Sequence, residues 1–175
     1  MTMIDDSFLN DIFLFENLEE KQTQIIKGLV KKETYGIHER IVEEGKAGES
    51  LYVICQGKVR VIREFDGQPF VLTELGPYDF FGEMSLIDDY PTSATVETTE
   101  ETMVLRMSRG DFKALVSSNS DLSARLWESL ARSLTMKIRK TGDLVKMYYG
   151  LNKALCENEQ FRQLYTSWNF HSPRS

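Results

Sequence analysis

The stretch FFGEMSLIDDYPTSATV, Phe80 to Val96, decides how this chain is read. The preceding LGPYDFF reads as a strand end that runs into Gly82 and then into a short turn of helix, GEMSLI. A helix start leaves backbone N–H groups unpaired and carries partial positive charge, which makes it a seat for an anion. Gly82 lets a ligand come close to the backbone. Glu83 sets a carboxylate beside it, and a carboxylate is a good acceptor for sugar hydroxyls. Pro91 stops the loop before the chain re-enters a strand at SATV. Between Pro91 and Ala94 stand Thr92 and Ser93, and no arginine. The loop is shaped for an anion and lacks the cation that would hold one.

On both sides of this stretch the sequence reads as short strands. ETYGIHERIVEEG, LYVICQG, KVRVIRE, FVLTEL, SATVETT and TMVLRMS are rich in Val, Ile, Thr and aromatics. Gly45, Gly48, Gly57, Gly67 and Gly76 punctuate them as turns. Strands this short and this evenly spaced predict a sandwich, a jelly roll or a small barrel.

Helical periodicity flanks the strands. Residues 5–30 read as helix, with Asn17 and Glu20 resembling an N-cap and its reciprocal glutamate. Leu18, Ile25, Ile26 and Leu29 then recur at helical spacing. RGDFKALVSSN is a short helix, and a long one begins near Ser120. Leu130, Leu134, Lys137, Thr141, Leu144, Tyr148, Leu151 and Leu155 alternate spacings of four and three, a heptad seam that suggests a partnered helix. Lys137 and Thr141 are poor seam residues, and Gly142 and Gly150 each cost about 1 kcal/mol within a helix. One rod, a kinked helix and two helices with a break therefore all fit. The tail, with Trp168, Phe170 and HSPRS, reads as frayed at its very end.

A chain of 175 residues has room for one ordinary domain and an appendage, and 41% hydrophobic residues suffice to bury a core. A net charge of −6 argues against general nucleic-acid binding, which needs clustered Lys and Arg. The basic stretch Arg132, Lys137, Arg139, Lys140 and Lys146 reads as a solvated helix face. Two cysteines are too few for a disulfide framework; Cys55, inside an apolar run, reads as a small core residue. No apolar run reaches the ~20 residues that span a bilayer. The N-terminus lacks the basic start of a signal peptide, so a cytoplasmic protein is expected. His38 and His171 are the two histidines, and no CxxC, HExxH or GxSxG motif appears. No metal site, no cofactor, no catalytic residues and no enzymatic activity are expected.

The pattern from FGE through PxxAT, together with the glycine-punctuated strands of VEEGKAGESLYVICQGKVRV, resembles the cyclic-nucleotide-binding domain family. That family is the ligand module of protein kinase A regulatory subunits, gated ion channels and catabolite-activator-type regulators. The resemblance covers about residues 5–138. It implies a mixed α+β fold, an eight-stranded jelly-roll-like β-barrel with N-terminal helices and a long C-terminal helix. Residues 1–138 would form the binding domain, and residues 139–175 a helical extension for dimerisation or output. Carried over, the resemblance implies that Gly82, Met84 and Ser85 present amides to a phosphate, with Phe81 beside them. By the same resemblance Glu83 would accept a ribose 2′-hydroxyl, Ser93 would touch the phosphate, and Ala94 would close the cassette with its amide. Val61, Leu72 and Thr73 face the base, and Lys137 and Ile138 mark where the long helix covers it.

The family arginine falls here on Thr92. A hydrogen bond to a charged group contributes roughly 1.5–3 kcal/mol, about one to two powers of ten in affinity. A buried anion left unpaired loses roughly 3–5 kcal/mol. Three readings follow: a cyclic AMP or cyclic GMP sensor, weakened or rescued by another cation; a sensor for an uncharged nucleoside; or a ligand-free interaction module. In the last reading Gly82 and Pro91 are turn residues, Phe80, Phe81 and Leu86 are core, and Glu83 caps the helix. Arg60, Arg63 and Arg106 lie on nearby strands, and nothing in the sequence aims them inward. About 35 residues follow Lys140 without a compact helix-turn-helix pattern, which argues against direct DNA binding. The expected partners are a nucleotide-like small molecule and a second copy of the chain, paired through the C-terminal helix. The expected output is movement of that helix, driven by Leu86 and Ile87 at the cassette edge.

Overall fold

The computed structural model describes residues 6–159. Two compact units divide the chain, Met1–Ala131 and Arg132–Ser175. The first opens with α1 (Asp6–Asn10) and α2 (Glu20–Leu29) and continues with β1 (Lys31–Tyr35), β2 (Arg40–Val42), β3 (Ser50–Gln56), β4 (Val59–Phe65) and β5 (Gln68–Leu75). Next come β6 (Phe80–Phe81), α3 (Met84–Ile87), β7 (Thr95–Thr98), β8 (Thr102–Ser108) and α4 (Arg109–Ser118). α5 (Ser120–Glu157) begins in this unit. The fold is mixed α+β, with eight strands in two four-stranded antiparallel sheets, β1-β8-β3-β6 and β2-β7-β4-β5.

Alternation along the strands makes two cores. On one face of the first sheet Leu51, Val53, Phe80, Leu105 and Met107 pack with the helical Leu9, Ile26, Leu86, Phe112, Leu122 and Leu126. On its other face Ile54, Phe81 and Val104, with Tyr35 and Tyr52, meet Val59, Val61, Leu75 and Val96 of the second sheet. Period-two alternation of side chains produces this division. It places Phe80 in the helical core and Phe81, its neighbour, between the sheets. The Asp66-Gly67 turn between β4 and β5 has φ of 50° and 73°, the left-handed pair that closes a two-residue hairpin.

Three expectations are corrected. Residues 5–30 are not one helix: successive i→i−3 bonds, such as Ile12 N–H to Leu9 (3.2 Å) and Phe15 N–H to Ile12 (2.7 Å), turn the chain between α1 and α2. These turns bury the adjacent Leu14 and Phe15 together. The cap of α2 is Glu19 rather than Asn17, and Gln22, not Glu20, supplies the reciprocal acceptor, 3.0 Å from the Glu19 N–H. The run ETYGIHERIV is two strands, β1 and β2, which enter different sheets.

α5 continues without interruption through Gly142 and Gly150. Leu130, the first seam residue, is 1% exposed and belongs to the core of the first unit. In the second unit Leu144, Tyr148 and Leu151 of the seam are exposed, as are Val145, Met147 and Tyr149. Lys137 and Ile138 are also exposed there. Trp168, Phe170 and the HSPRS end lie outside the described residues.

Candidate ligand site

Gly82 has φ 81°, a conformation that side chains rarely adopt, and a Cβ there would stand 2.3 Å from the Ser50 carbonyl oxygen. It would also meet Tyr52 Cδ2 at 3.5 Å. The glycine is thus required by the close approach of β3, whereas the sequence suggested the approach of a ligand. Its neighbour Phe81 stacks on Tyr52, with ring centroids 5.0 Å apart and planes 12° apart. The two residues fix where the chain leaves β6 and turns into α3.

Glu83 follows, and it is 5% exposed. It occupies the N-cap position of α3 with helical φ and ψ (−63°, −31°), and its side chain makes no capping hydrogen bond. An N-cap side chain reaches the first turn from an extended backbone, and this backbone is not extended. The helix-cap role considered from sequence is therefore absent. The Ser85 N–H, expected to face an anion, donates to the Gly82 carbonyl at 3.2 Å and closes the turn. Ser85 itself is buried, and a Cβ at Gly48 would overlap its Oγ at 1.9 Å. Met84 is exposed, with its Sδ 3.9 Å from the Ser93 Oγ, so these two form the outer lip of the loop. Ala94 is buried as the chain turns into β7.

Thr92 is tied to a neighbouring turn. Its hydroxyl donates to the Glu43 carbonyl and lies 3.2 Å from that of Lys46. Its N–H donates to Lys46 O (2.8 Å), and its carbonyl accepts from Gly45 N–H (2.9 Å). Ala47 and Pro91 add a bridge. A threonine at this position locks the returning leg of the loop to residues 43–47, and its hydroxyl proton is committed to backbone.

Across the inter-sheet space, Val61 pairs with Thr73 on β5 and with Val96 on β7. The register then slips, so that Ile62 pairs with Val71 and Leu72 is the extra residue. A bulge of this kind re-aims the side chains around it. Val61 packs in the inter-sheet cluster with Phe81 and Val96, which brings the loop and the strand positions together. Thr73 is half-buried, and its hydroxyl donates to Glu74 O at 3.3 Å. Leu72 is exposed and stands apart from that cluster.

The three arginines separate by face. Arg60 lies opposite Glu97 on the outer side of the second sheet, bonded to its carboxylate at 2.6 Å, with Arg40 and His38 at 3.7 and 3.8 Å. Arg63 pairs with Glu44 at 3.3 Å and stands 5.6 Å over the Phe65 ring. Arg106 shares the inward face of β8 with Val104, by the alternation that sets Leu105 and Met107 toward the helices. Its Nε donates to Ser50 Oγ at 2.8 Å. The sequence contained this signal, because Thr102, Val104 and Arg106 are spaced by two; which side was inward was not legible.

One link was not foreseen. Arg109, the first residue of α4, pairs with Asp89 just beyond α3, and its N–H donates to Glu49 O at 2.8 Å. Its Nε is buried without a hydrogen-bond partner. The loop, the entry to β3 and the start of α4 therefore meet at one residue, through its side chain and its backbone N–H. Among the described residues no three His, Cys, Asp or Glu side chains gather as metal ligands, and no helix is long and apolar enough to cross a membrane.

Known proteins resemble this chain in sequence and in fold. The cyclic AMP receptor protein of Thermus thermophilus is 34% identical over 122 residues, 69% of this chain and 56% of that protein. A cAMP-dependent protein kinase regulatory subunit from Debaryomyces hansenii is 31% identical over 117 residues, 67% of this chain and 25% of its own length. The chain thus spans between a quarter and just over half of these relatives. Among solved structures, the Thermus thermophilus catabolite activator protein superposes with TM-score 0.69 at 29% identity, covering 78% of this chain and 63% of that one. A cyclic nucleotide-binding domain from Methylobacillus flagellatus shares the fold, with TM-score 0.74 at 21% identity, over 82% of this chain and 85% of that one. The family model described as the cyclic nucleotide-binding domain matches residues 17–119, and the chain belongs to that family.

Proposed function

We propose that this chain is a regulatory domain, not an enzyme, that senses a cyclic nucleotide or a related ribose-containing ligand. The ligand sits between the Phe81–Ala94 loop and the strands carrying Val61 and Thr73. The observation that carries this reading is the family match over residues 17–119, which includes the whole loop from Phe81, a member of the inter-sheet cluster, through the buried Glu83 to Ala94. A vicinal diol offers two donors to one carboxylate. The names of the relatives, a cyclic AMP receptor protein and a cAMP-dependent kinase regulatory subunit, support the same class of ligand.

Binding reaches the helices through the loop. Leu86 is buried among Phe112, Leu115, Leu122 and Leu126, and Arg109 joins α4 to Asp89. A ligand that favours one position of α3 therefore biases α4 and the start of α5, provided it binds the two arrangements unequally. Ile87, expected to act with Leu86, is exposed, so Leu86 carries the packing part of this coupling. The exposed Leu144, Tyr148 and Leu151 support output through a homodimer along α5. Sedimentation at increasing concentration tests the dimer, and a monomer at every concentration refutes it.

Calorimetric titration of cyclic AMP, cyclic GMP and the free nucleosides tests the site. Glu83→Ala is expected to abolish binding of the ligand that the wild type takes up, with little change in thermal stability. Unchanged binding in that variant refutes the role of Glu83, and a wild type that binds none of these compounds refutes the sensor reading and leaves a protein-interaction module.

A further inference from the structure

Arg106 stands in a row of inward side chains that crosses the first sheet. Tyr52 is the register partner of both Arg106 on β8 and Phe81 on β6, so the three residues lie side by side. Phe81 stacks on Tyr52, and the chain continues directly into Gly82 and Glu83. Ser50 closes the row from below: its Oγ accepts from Arg106 Nε at 2.8 Å, and its carbonyl is the atom pressed against Gly82. One residue, Tyr52, thus stands between Arg106 and the strand that leads into the loop, two inter-strand spacings of about 4.8 Å.

Arg106 is hydrogen-bonded to Ser50 and to the Tyr52 side chain, both on β3, and differs from Arg60 in having no carboxylate within hydrogen-bond distance. Arg60 holds Glu97 at 2.6 Å, within the range of a charge-assisted hydrogen bond. The carboxylate nearest Arg106 is Glu33 on β1, whose Oε1 is 3.6 Å from an Arg106 terminal nitrogen, too far for a hydrogen bond. Glu33 in turn accepts from the Tyr35 hydroxyl at 2.7 Å, which draws on its charge from the other side. The Arg106 side chain is 31% exposed and therefore reachable. An arginine fork with donors to share matches a phosphate oxygen pair.

We propose that Arg106, reaching from the inner face of β8, supplies the positive charge for a ligand phosphodiester that residue 92 no longer provides, so that the site takes an anionic cyclic nucleotide in preference to the neutral nucleoside. This rests on the ribose-site reading above and adds the charge class of the ligand. Thr92 then has a separate task, holding the loop to residues 43–47, and the cation has moved from the loop to the sheet.

The test compares charged and neutral probes on the full chain. Cyclic AMP is titrated against adenosine, and cyclic GMP against guanosine, with wild type, Arg106→Gln, Arg106→Lys, Arg60→Gln, Lys46→Gln and Glu33→Gln, each checked for folding by circular dichroism. Lys46 is included because its exposed side chain borders Thr92. The expected result is a cyclic nucleotide that binds wild type at least about tenfold tighter than its nucleoside. Arg106→Gln lowers that affinity about ten- to hundredfold and leaves nucleoside affinity within about twofold. Arg106→Lys retains part of the preference, Glu33→Gln strengthens cyclic-nucleotide binding, and Arg60→Gln changes nothing. A nucleoside that binds as tightly as its cyclic nucleotide, or a preference abolished by Lys46→Gln instead, overturns the role of Arg106 and leaves the ribose site standing. Binding of no probe at millimolar concentration overturns both.

Discussion

At the scale of single residues, the loop depends on backbone shape as much as on polar chemistry. Gly82→Ala must place a Cβ in the left-handed region and against a main-chain oxygen that belongs to β3 and cannot swing away. Strain of this kind costs on the order of 1–3 kcal/mol, and the overlap adds to it. We expect Gly82→Ala to lose about 3 kcal/mol, read from the midpoint of urea unfolding. Cys55 gives a different reading of its surroundings. Burial pushes its thiol up to about 11 from an ordinary 9.0, because the thiolate is the form that suffers from desolvation. The folded chain therefore holds that proton more tightly than the unfolded chain. The contribution is fully present below about pH 9 and is lost as pH rises toward 11. Comparing wild type with Cys55→Ala, the wild type should lose more stability between those two pH values. The exposed Cys156 should react with an alkylating reagent while Cys55 stays protected.

Elements show where the sequence was legible and where it was not. Strands bounded by glycine or by Asp-Gly could be read because the turn chemistry is local: Gly57 and Gly67 have φ of 90° and 73°. The break between β1 and β2 was hidden because it hinges on His38, at φ 61°, a conformation that the residue type does not announce. The position of the α2 cap was missed for a similar reason. Asn17 is the better capping residue in isolation, yet the turns that bury Leu14 and Phe15 carry the chain past it. Thr92 shows the same limit within the site, since the sequence marks a lost arginine and only the fold shows the hydroxyl joined to residues 43 and 46. α5 was left between rod and broken helix because two glycines oppose its periodicity. A Cβ at Gly142 meets nothing within 4 Å, so the position carries the backbone cost of glycine without a packing reason. Gly142→Ala should therefore stabilise the helix by about 1 kcal/mol, visible as increased helicity and later melting of that segment by circular dichroism.

At the scale of the whole molecule, both hydrophobic clusters end within the first compact unit, and among the described residues Leu130 is the last buried member of either. A chain ending at Ala131 is thus expected to keep its tertiary near-ultraviolet signal and a cooperative transition. Its melting temperature should lie within about 5 °C of the full chain, the shift that roughly 1 kcal/mol produces in a domain of this size. A fragment without cooperative melting would show that the remainder of the chain contributes to the core.

The pairing of β1 with β8 matters for how the protein is made. Lys31 finds its partner at Arg106, about seventy-five residues later, and every other strand of both sheets lies between them in the chain. At ribosomal speeds of roughly 5–20 residues per second, the first strand emerges about 4–15 s before its hydrogen-bonding edge can be covered. During that interval the nascent chain carries an open edge, along which the charges of Lys31, Lys32 and Glu33 in KKETY disfavour pairing with another chain. Replacing the two exposed lysines would cost the finished fold little and put the burden on the unfinished one, as aggregation during synthesis.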